Sequence, residues 1–217
     1  MVGVRSDAAD SEDFCMPPER INNPGLNDHA AAVGYLCFMY NGLEARVNNL
    51  LGSLAPLPDE ELECFTNQFD LLKKLPSLKA LAFKRKPSQL WFDDIELMSW
   101  AIGAWIIPGR NRFVHDIWLA PPSGTVRRHE RTRIAKAQSR QESELTTYEH
   151  VPTNAAEIWE LVHETKDVSN ILRLLDAAFK SGQARKEPEQ TYPPHYRDLW
   201  RARKKSPKKI KLRHDTQ

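Results

Sequence analysis

The 217-residue sequence predicts an all-α protein: an antiparallel bundle of four to five helices, with a small β-hairpin inserted before the last helix. Three observations carry this expectation. Apolar residues recur three and four positions apart along several long segments, the period of a helix with one buried face. Prolines and a Pro-Gly step separate those segments, so the connections are short. Between Gly124 and His150 the helical period is lost and β-branched residues gather in two short stretches.

The first helix follows Asn27, which suits an N-cap ahead of Asp28. Leu36, Tyr40, Leu43, Val47, Leu50 and Leu54 then step by four and three along one face. Pro56 and Pro58 end it. A second helix starts near Asp59, whose acidic first turn suits the positive end of the helix dipole. Its stripe is Leu62, Phe65, Phe69 and Leu72, and Pro76 is expected to stop it. A basic loop, Lys84-Arg85-Lys86-Pro87, leads to a third helix from about Asp93 to Ile107. That helix is apolar on nearly every face, with Trp100, Ile102, Trp105 and Ile106, which predicts central burial. Pro108-Gly109 is expected to break it, and a short helix follows over roughly Arg110 to Leu119. Thr125–Ile134 and Leu145–Val151 are the arms of a small hairpin, or else parts of a polar loop. Thr153 is expected to cap a last long helix with Ile158, Val162, Thr165, Leu172, Leu175 and Phe179 near one stripe, ended by Gly182 as a C′ residue.

At about 150 residues per domain the length fits one domain with tails. The expected division is an acidic disordered lead over 1–27, a helical domain over 28–183, and a disordered, basic, Pro-rich tail over 184–217. The formal net charge of +2 conceals this polarity. Residues 184–217 carry eleven basic against four acidic side chains, a net +7, while residues 1–27 carry −3 and the middle −2. No apolar run approaches the ~18 residues of a membrane span. The acidic N-terminal stretch does not resemble a secretory signal. Cys15, Cys37 and Cys64 are an odd, widely spaced set that fits neither a disulfide framework nor a zinc site, so a reducing cytoplasm is the expected setting. No cofactor and no metal site is predicted, because the seven histidines are scattered.

The informative stretch is Arg110-Asn111-Arg112-Phe113-Val114-His115-Asp116-Ile117-Trp118. On a helix, Phe113, Val114 and Ile117 share an apolar face, and Arg110 projects to the same side in the first turn. A guanidinium cannot lie unpaired in an apolar contact, so it needs a carboxylate or phosphate, or it lines a cleft. Asn111 and His115, four apart, sit side by side at the edge of that face. A helix start here also offers free backbone N–H groups to an anion. Histidine titrates near neutral pH and can move a proton. Arginine can stabilise charge building on phosphate oxygens. RNA brings its own nucleophile, the 2′-OH, so these two roles are enough for cleavage.

Arg110-Asn111 followed by His115 resembles the R-x4-H motif, in its RN form, of the HEPN domain family. Leu43-Glu44 in the middle of the first helix, the run from Arg110 to Trp118, and a strand-like segment with a closing helix after it add to the likeness, which covers about residues 28–182. The resemblance implies an α-helical bundle, commonly dimeric, and a metal-independent endoribonuclease of the kind found in toxin–antitoxin and phage-defence systems. By it Arg110 and His115 are catalytic and Asn111 supports them. RNA, a second copy of the chain, and an antitoxin or regulatory protein are the implied partners. The Pro108-Gly109 break departs from versions of the motif carried on a continuous helix. Arg110 and His115 lie about 140° apart on a regular helix, so a homodimer with facing motif helices is expected to complete the site.

Plainer readings stand beside these. Arg110 can be a structural arginine paired with Glu44, which lies close to the core stripe, and such a pair would also hold a catalytic Arg110 in place. His115 alone would be an interfacial histidine and Asn111 alone a cap. Trp100, Trp105, Trp118, Cys37 and Cys64 are expected in the core. Arg127, Arg128, Arg131 and Arg133 can grip a nucleic-acid backbone or form a solvated hairpin face. In the tail, Arg203, Lys204, Lys205, Lys208, Lys209 and Lys211, interleaved with Tyr192, Tyr196 and Trp200, fit either a phosphate-binding arm or a solubilising terminus. A non-catalytic HEPN-like module that binds RNA or nucleotide, or that dimerises, is the alternative to the nuclease.

Overall fold

The computed structural model describes residues 24–55, 57–115, 117–119, 127–129, 150–152, 154–185, 198, 201–202 and 204–205. It is an all-α helical bundle with a minor sheet at one side. In chain order the elements are α1 (Pro24–Leu54), α2 (Asp59–Asn67), α3 (Leu71–Arg85), α4 (Gln89–Ala101), a π turn (Ile102–Ile106), α5 (Ile107–His115), β1 (Ile117–Leu119), β2 (Arg127–His129), β3 (His150–Pro152) and α6 (Ala155–Lys180). Because α4, the π turn and α5 run on without interruption, they form one rod, and the bundle has five helical rods.

The two longest helices, α1 and α6, pack along each other and run in the same direction. Trp159 Nε1 donates to Asp28 Oδ1 at 3.2 Å near both N-terminal ends, and Ser53 Oγ donates to Asp176 near both C-terminal ends. The α4–α5 rod runs against them: Trp91 Nε1 donates to the Leu175 carbonyl at 3.0 Å, and Trp105 Nε1 donates to Glu164. Helix α3 is antiparallel to that rod, with Phe83 against Phe92 at one end and Leu72 and Leu75 against Gly103 at the other. The bundle is thus antiparallel across the α3–α4 connection and parallel between its first and last helices. The core is Leu36, Leu43, Val47, Leu50 and Leu54 from α1, Leu71, Leu75 and Leu78 from α3, Trp91, Ile95, Met98 and Ile102 from the rod, and Ile158, Val162, Val168, Leu172 and Leu175 from α6. The α1 and α6 stripes seen in the sequence are buried, except that Tyr40 and Phe179 are half-buried at the margin.

Several boundaries differ from expectation. Helix α1 begins at Pro24, so Asn27 lies inside it and the lead ends four residues early. Proline suits a first helical position, where no N–H is needed. The second predicted helix is two. The chain turns at Gln68–Asp70, and Asp70 caps α3 by accepting from the Lys73 N–H at 2.9 Å. Phe69 and Leu72 are therefore exposed rather than part of a stripe. Pro76 stands inside α3; burial of Leu71, Lys74, Leu75 and Leu78 on both sides of it outweighs one lost hydrogen bond. Ser88 caps α4, and Asn154, not Thr153, caps α6 by accepting from the Ala156 N–H. Gly182 takes the left-handed conformation (φ 71°) after α6, as the C′ position requires. Trp100 and Trp105 are half-buried at the core margin, Cys37 is half-buried, and Cys64 is exposed on α2 rather than in the core.

The Pro108-Gly109 step does not break the helix. A proline ring inside a helix collides with the carbonyl four residues back. Here the preceding turn is widened: the Ile107 N–H reaches the Ile102 carbonyl, five residues back, so the rod takes in Pro108 without stopping. Gly109 lets α5 lie against α6, since a Cβ there would sit 2.7 Å from Leu161 Cδ2. Helix α5 then ends at His115, four residues before the expected Leu119, and Ile117–Leu119 pair as a strand. A short apolar run has no fixed period of its own, and pairing with β2 decides it. The sheet order is β1-β2-β3, antiparallel throughout, with Trp118 opposite Arg128 and Arg128 opposite Val151. Strand β2 falls within the first expected hairpin segment and β3 overlaps the end of the second, running one residue past Val151; residues 130–149 between them lie outside the described residues. Residues 1–23 of the expected lead (1–27) and most of the expected tail (184–217) also lie outside them. Residues 183–185, where the domain meets the tail, form a 3-10 turn, and within the tail residues 198, 201, 202, 204 and 205 are helical.

Candidate functional site

Arg110, Asn111 and His115 all lie on α5, at the surface end of the rod. The buried Ile106, Ile107 and Phe113 fix this short helix on the core side. Arg110 is half-buried, while Asn111 and His115 are exposed. Their side chains converge. Arg110 Nη1 lies 3.0 Å from His115 Nε2 and 3.2 Å from Asn111 Oδ1. A guanidinium has no acceptor, so it donates in both contacts. His115 Nε2 is therefore the accepting nitrogen, and in the neutral ring the proton sits on Nδ1.

The expectation that one chain cannot bring the two residues together does not hold. The Arg110 side chain is long enough to span the five-residue separation, so both groups reach the same point within one subunit. The expected anion site at a helix start is also absent. The π turn leads straight into α5, and the Ile107 N–H is already bonded to the Ile102 carbonyl. With α5 ending at His115, Ile117 leaves the helical face it was expected to share with Phe113 and Val114.

Glu44 does not pair with Arg110. Its Oε1 accepts from Lys74 Nζ at 2.6 Å, across the α1–α3 contact. Lys74 is only 3% exposed and needs that carboxylate. Arg110 is held instead by the Tyr40 ring, 5.0 Å from its Cζ. Burial raises the Tyr40 phenol pKa above its ordinary range; the Arg110 charge pulls it back, and Glu44 and Asp70 push it further up. Arg110 Nε is buried and has no hydrogen-bond partner among the described residues. Nη1 is already shared between His115 and Asn111, so an oxyanion takes a two-point contact on the Nη1–Nη2 edge by displacing one of them.

Sequence reasoning named Tyr40 only as a core residue and missed Lys74. The signal for Tyr40 was its place at one end of the stripe, where an aromatic ring can face the core with one side and a guanidinium with the other. Lys74 gave no signal, because a lysine in the first turns of a helix is usually solvated. Among the basic candidates, Lys204 and Lys205 are exposed and helical. Arg127 and Arg128 lie on β2, and Arg131, Arg133, Arg203, Lys208, Lys209 and Lys211 are outside the described residues. Among the described residues no three His, Cys, Asp or Glu side chains gather to hold a metal ion. No described helix is long and apolar enough to cross a membrane.

The fold and the site together define a helical bundle that presents an arginine–histidine pair at its surface. In comparisons with known proteins, no family model, no curated protein and no solved structure matches the chain.

Proposed function

We propose that the chain is a metal-independent endoribonuclease of HEPN type, with Arg110 and His115 as catalytic residues and Asn111 as their support. The observation that carries this reading is the 3.0 Å contact between Arg110 Nη1 and His115 Nε2 at an open surface. It puts a permanent cation beside a group that can take a proton, the two functions that cleavage by a 2′-OH requires. In the free protein Arg110 occupies His115 Nε2. A phosphodiester drawn to the Nη1–Nη2 edge competes for the guanidinium and releases that nitrogen. His115 Nε2 then takes the 2′-OH proton as the 2′-oxygen bonds to phosphorus. The bond from phosphorus to the 5′-oxygen breaks, and that oxygen takes a proton from water. The products are a 2′,3′-cyclic phosphate and a 5′-hydroxyl. Arg110 balances the charge that builds on the non-bridging oxygens.

The test is an RNA-cleavage gel in EDTA. Wild-type protein cleaves; Arg110→Ala and His115→Ala do not, with helical content unchanged by circular dichroism. Cleavage that survives His115→Ala refutes the mechanism. The second reading, a binding module without chemistry, is favoured by the same contact seen from the other side, since His115 Nε2 is already engaged in the free protein. It predicts an inert protein that binds RNA and loses that binding in Arg110→Ala. A homodimer, an antitoxin-like partner and a role in defence rest on the HEPN likeness of Arg110-Asn111 and His115. Convergence of the pair within one chain removes the geometric need for a second copy, and light scattering on the active protein tests for one.

A further inference from the structure

The basic C-terminal segment does not stand free of the bundle. Arg201 Nη2 lies 3.7 Å from Asp94 Oδ1, and Asp94 is 1% exposed on α4. One helical turn on, Lys204 lines a cleft of about 350 Å³ together with Lys79, Glu96, Ser99, Trp100 and Gly103. Arg201 and Lys204 are three apart in a helical stretch, so they share one face, and that face is turned to the bundle. The α4 groups it meets are acidic: Arg201 pairs with Asp94, and Glu96 lines the cleft with Lys204. The cleft also abuts Gly103, inside the π turn that sets the pose of Arg110.

We propose that Arg201 and Lys204 form an intramolecular strap, pinned to α4 by Arg201 on Asp94, and that a polyanion displaces it. Arg201 and Lys204, two of the tail's cations, are engaged with the bundle, and each can serve only one partner at a time. The Arg201 end is 43% exposed, so the pin is open to screening and competition. The strap holds Arg201 and Lys204 against the rod in the free protein and surrenders them to nucleic acid. Only the choice of RNA as the natural polyanion rests on the function proposed above.

The experiment uses the full chain with Cys15→Ser, Cys37→Ala and Cys64→Ser, and with Lys79→Cys and Lys204→Cys placed across the cleft. A short bismaleimide should join the two thiols within one chain. Adding Arg201→Ser should slow that cross-linking at least fivefold, and so should heparin at a concentration that saturates binding. An unchanged rate in Arg201→Ser overturns the pin. An unchanged rate with heparin bound, or a failure to bind heparin, overturns the displacement. No RNA cleavage is measured, so a protein inert as a nuclease leaves the result intact.

Discussion

Replacing Glu44 with alanine should cost the fold more than it costs the site. Lys74 is 3% exposed and its ammonium lies 2.6 Å from Glu44 Oε1. Removing one partner of a fully buried pair costs about 3–5 kcal/mol, mostly from the charge left behind. The Glu44 side chain is 32% exposed, so water reaches part of the gap and the loss should fall to about 2–3 kcal/mol. For a domain of this size that is a drop in Tm of about 5–10 °C. Urea and thermal unfolding followed by far-UV circular dichroism measure it. The double variant Glu44→Leu/Lys74→Met should recover most of the loss, because apolar groups of similar volume leave no stranded charge. A single variant within about 0.5 kcal/mol of wild type, the ordinary range for a surface substitution, would refute the buried-pair account. If Glu44 instead held Arg110, the same variant would leave stability nearly intact and lower RNA binding.

Two further predictions concern Tyr40. On the proposed function, Tyr40→Leu should weaken RNA binding about fivefold, the equivalent of the roughly 1 kcal/mol of a half-buried cation–π contact. Tyr40→Phe keeps the ring and should bind like wild type; equal losses in both variants would refute the stacking role. The phenol also makes an alkaline prediction. Burial raises its pKa in the folded state, so the fold keeps the proton to higher pH than the unfolded chain does. Its contribution is complete below the unfolded value and is lost as pH rises through the folded one. Stability should therefore fall above about pH 10, and Tyr40→Phe should flatten that fall in denaturant titrations followed by circular dichroism; an unchanged slope would count against it.

The helical class was legible because α1 and α6 keep their period over 31 and 26 residues, long enough for the pattern to outweigh local exceptions. Proline misled the reading twice, at Pro76 and Pro108, for one reason. Its local cost is a lost hydrogen bond and a clash, and both can be met by burial or by a widened turn that only the folded neighbours provide. Arg110, Asn111 and His115 were legible as a group because their spacing fixes them on one helix. Their actual contact was not, because helical spacing places the backbones about 140° apart and leaves out the reach of the long arginine side chain that closes the distance. The partner of Arg110 was missed because pairing across helices depends on which faces meet. Lys74 on α3 takes the carboxylate that spacing along α1 alone had offered to Arg110.

The π turn places one surplus residue in the rod between Ile102 and Ile106. In a relative whose rod is a regular helix, that residue would be missing, and an alignment would show a single-position gap upstream of the arginine. Each residue advances the helix by about 100°. Aligned without that gap, an arginine set against Arg110 would be one residue out of register and would point away from the Tyr40 equivalent. Shared letters across that gap would then describe two different surfaces.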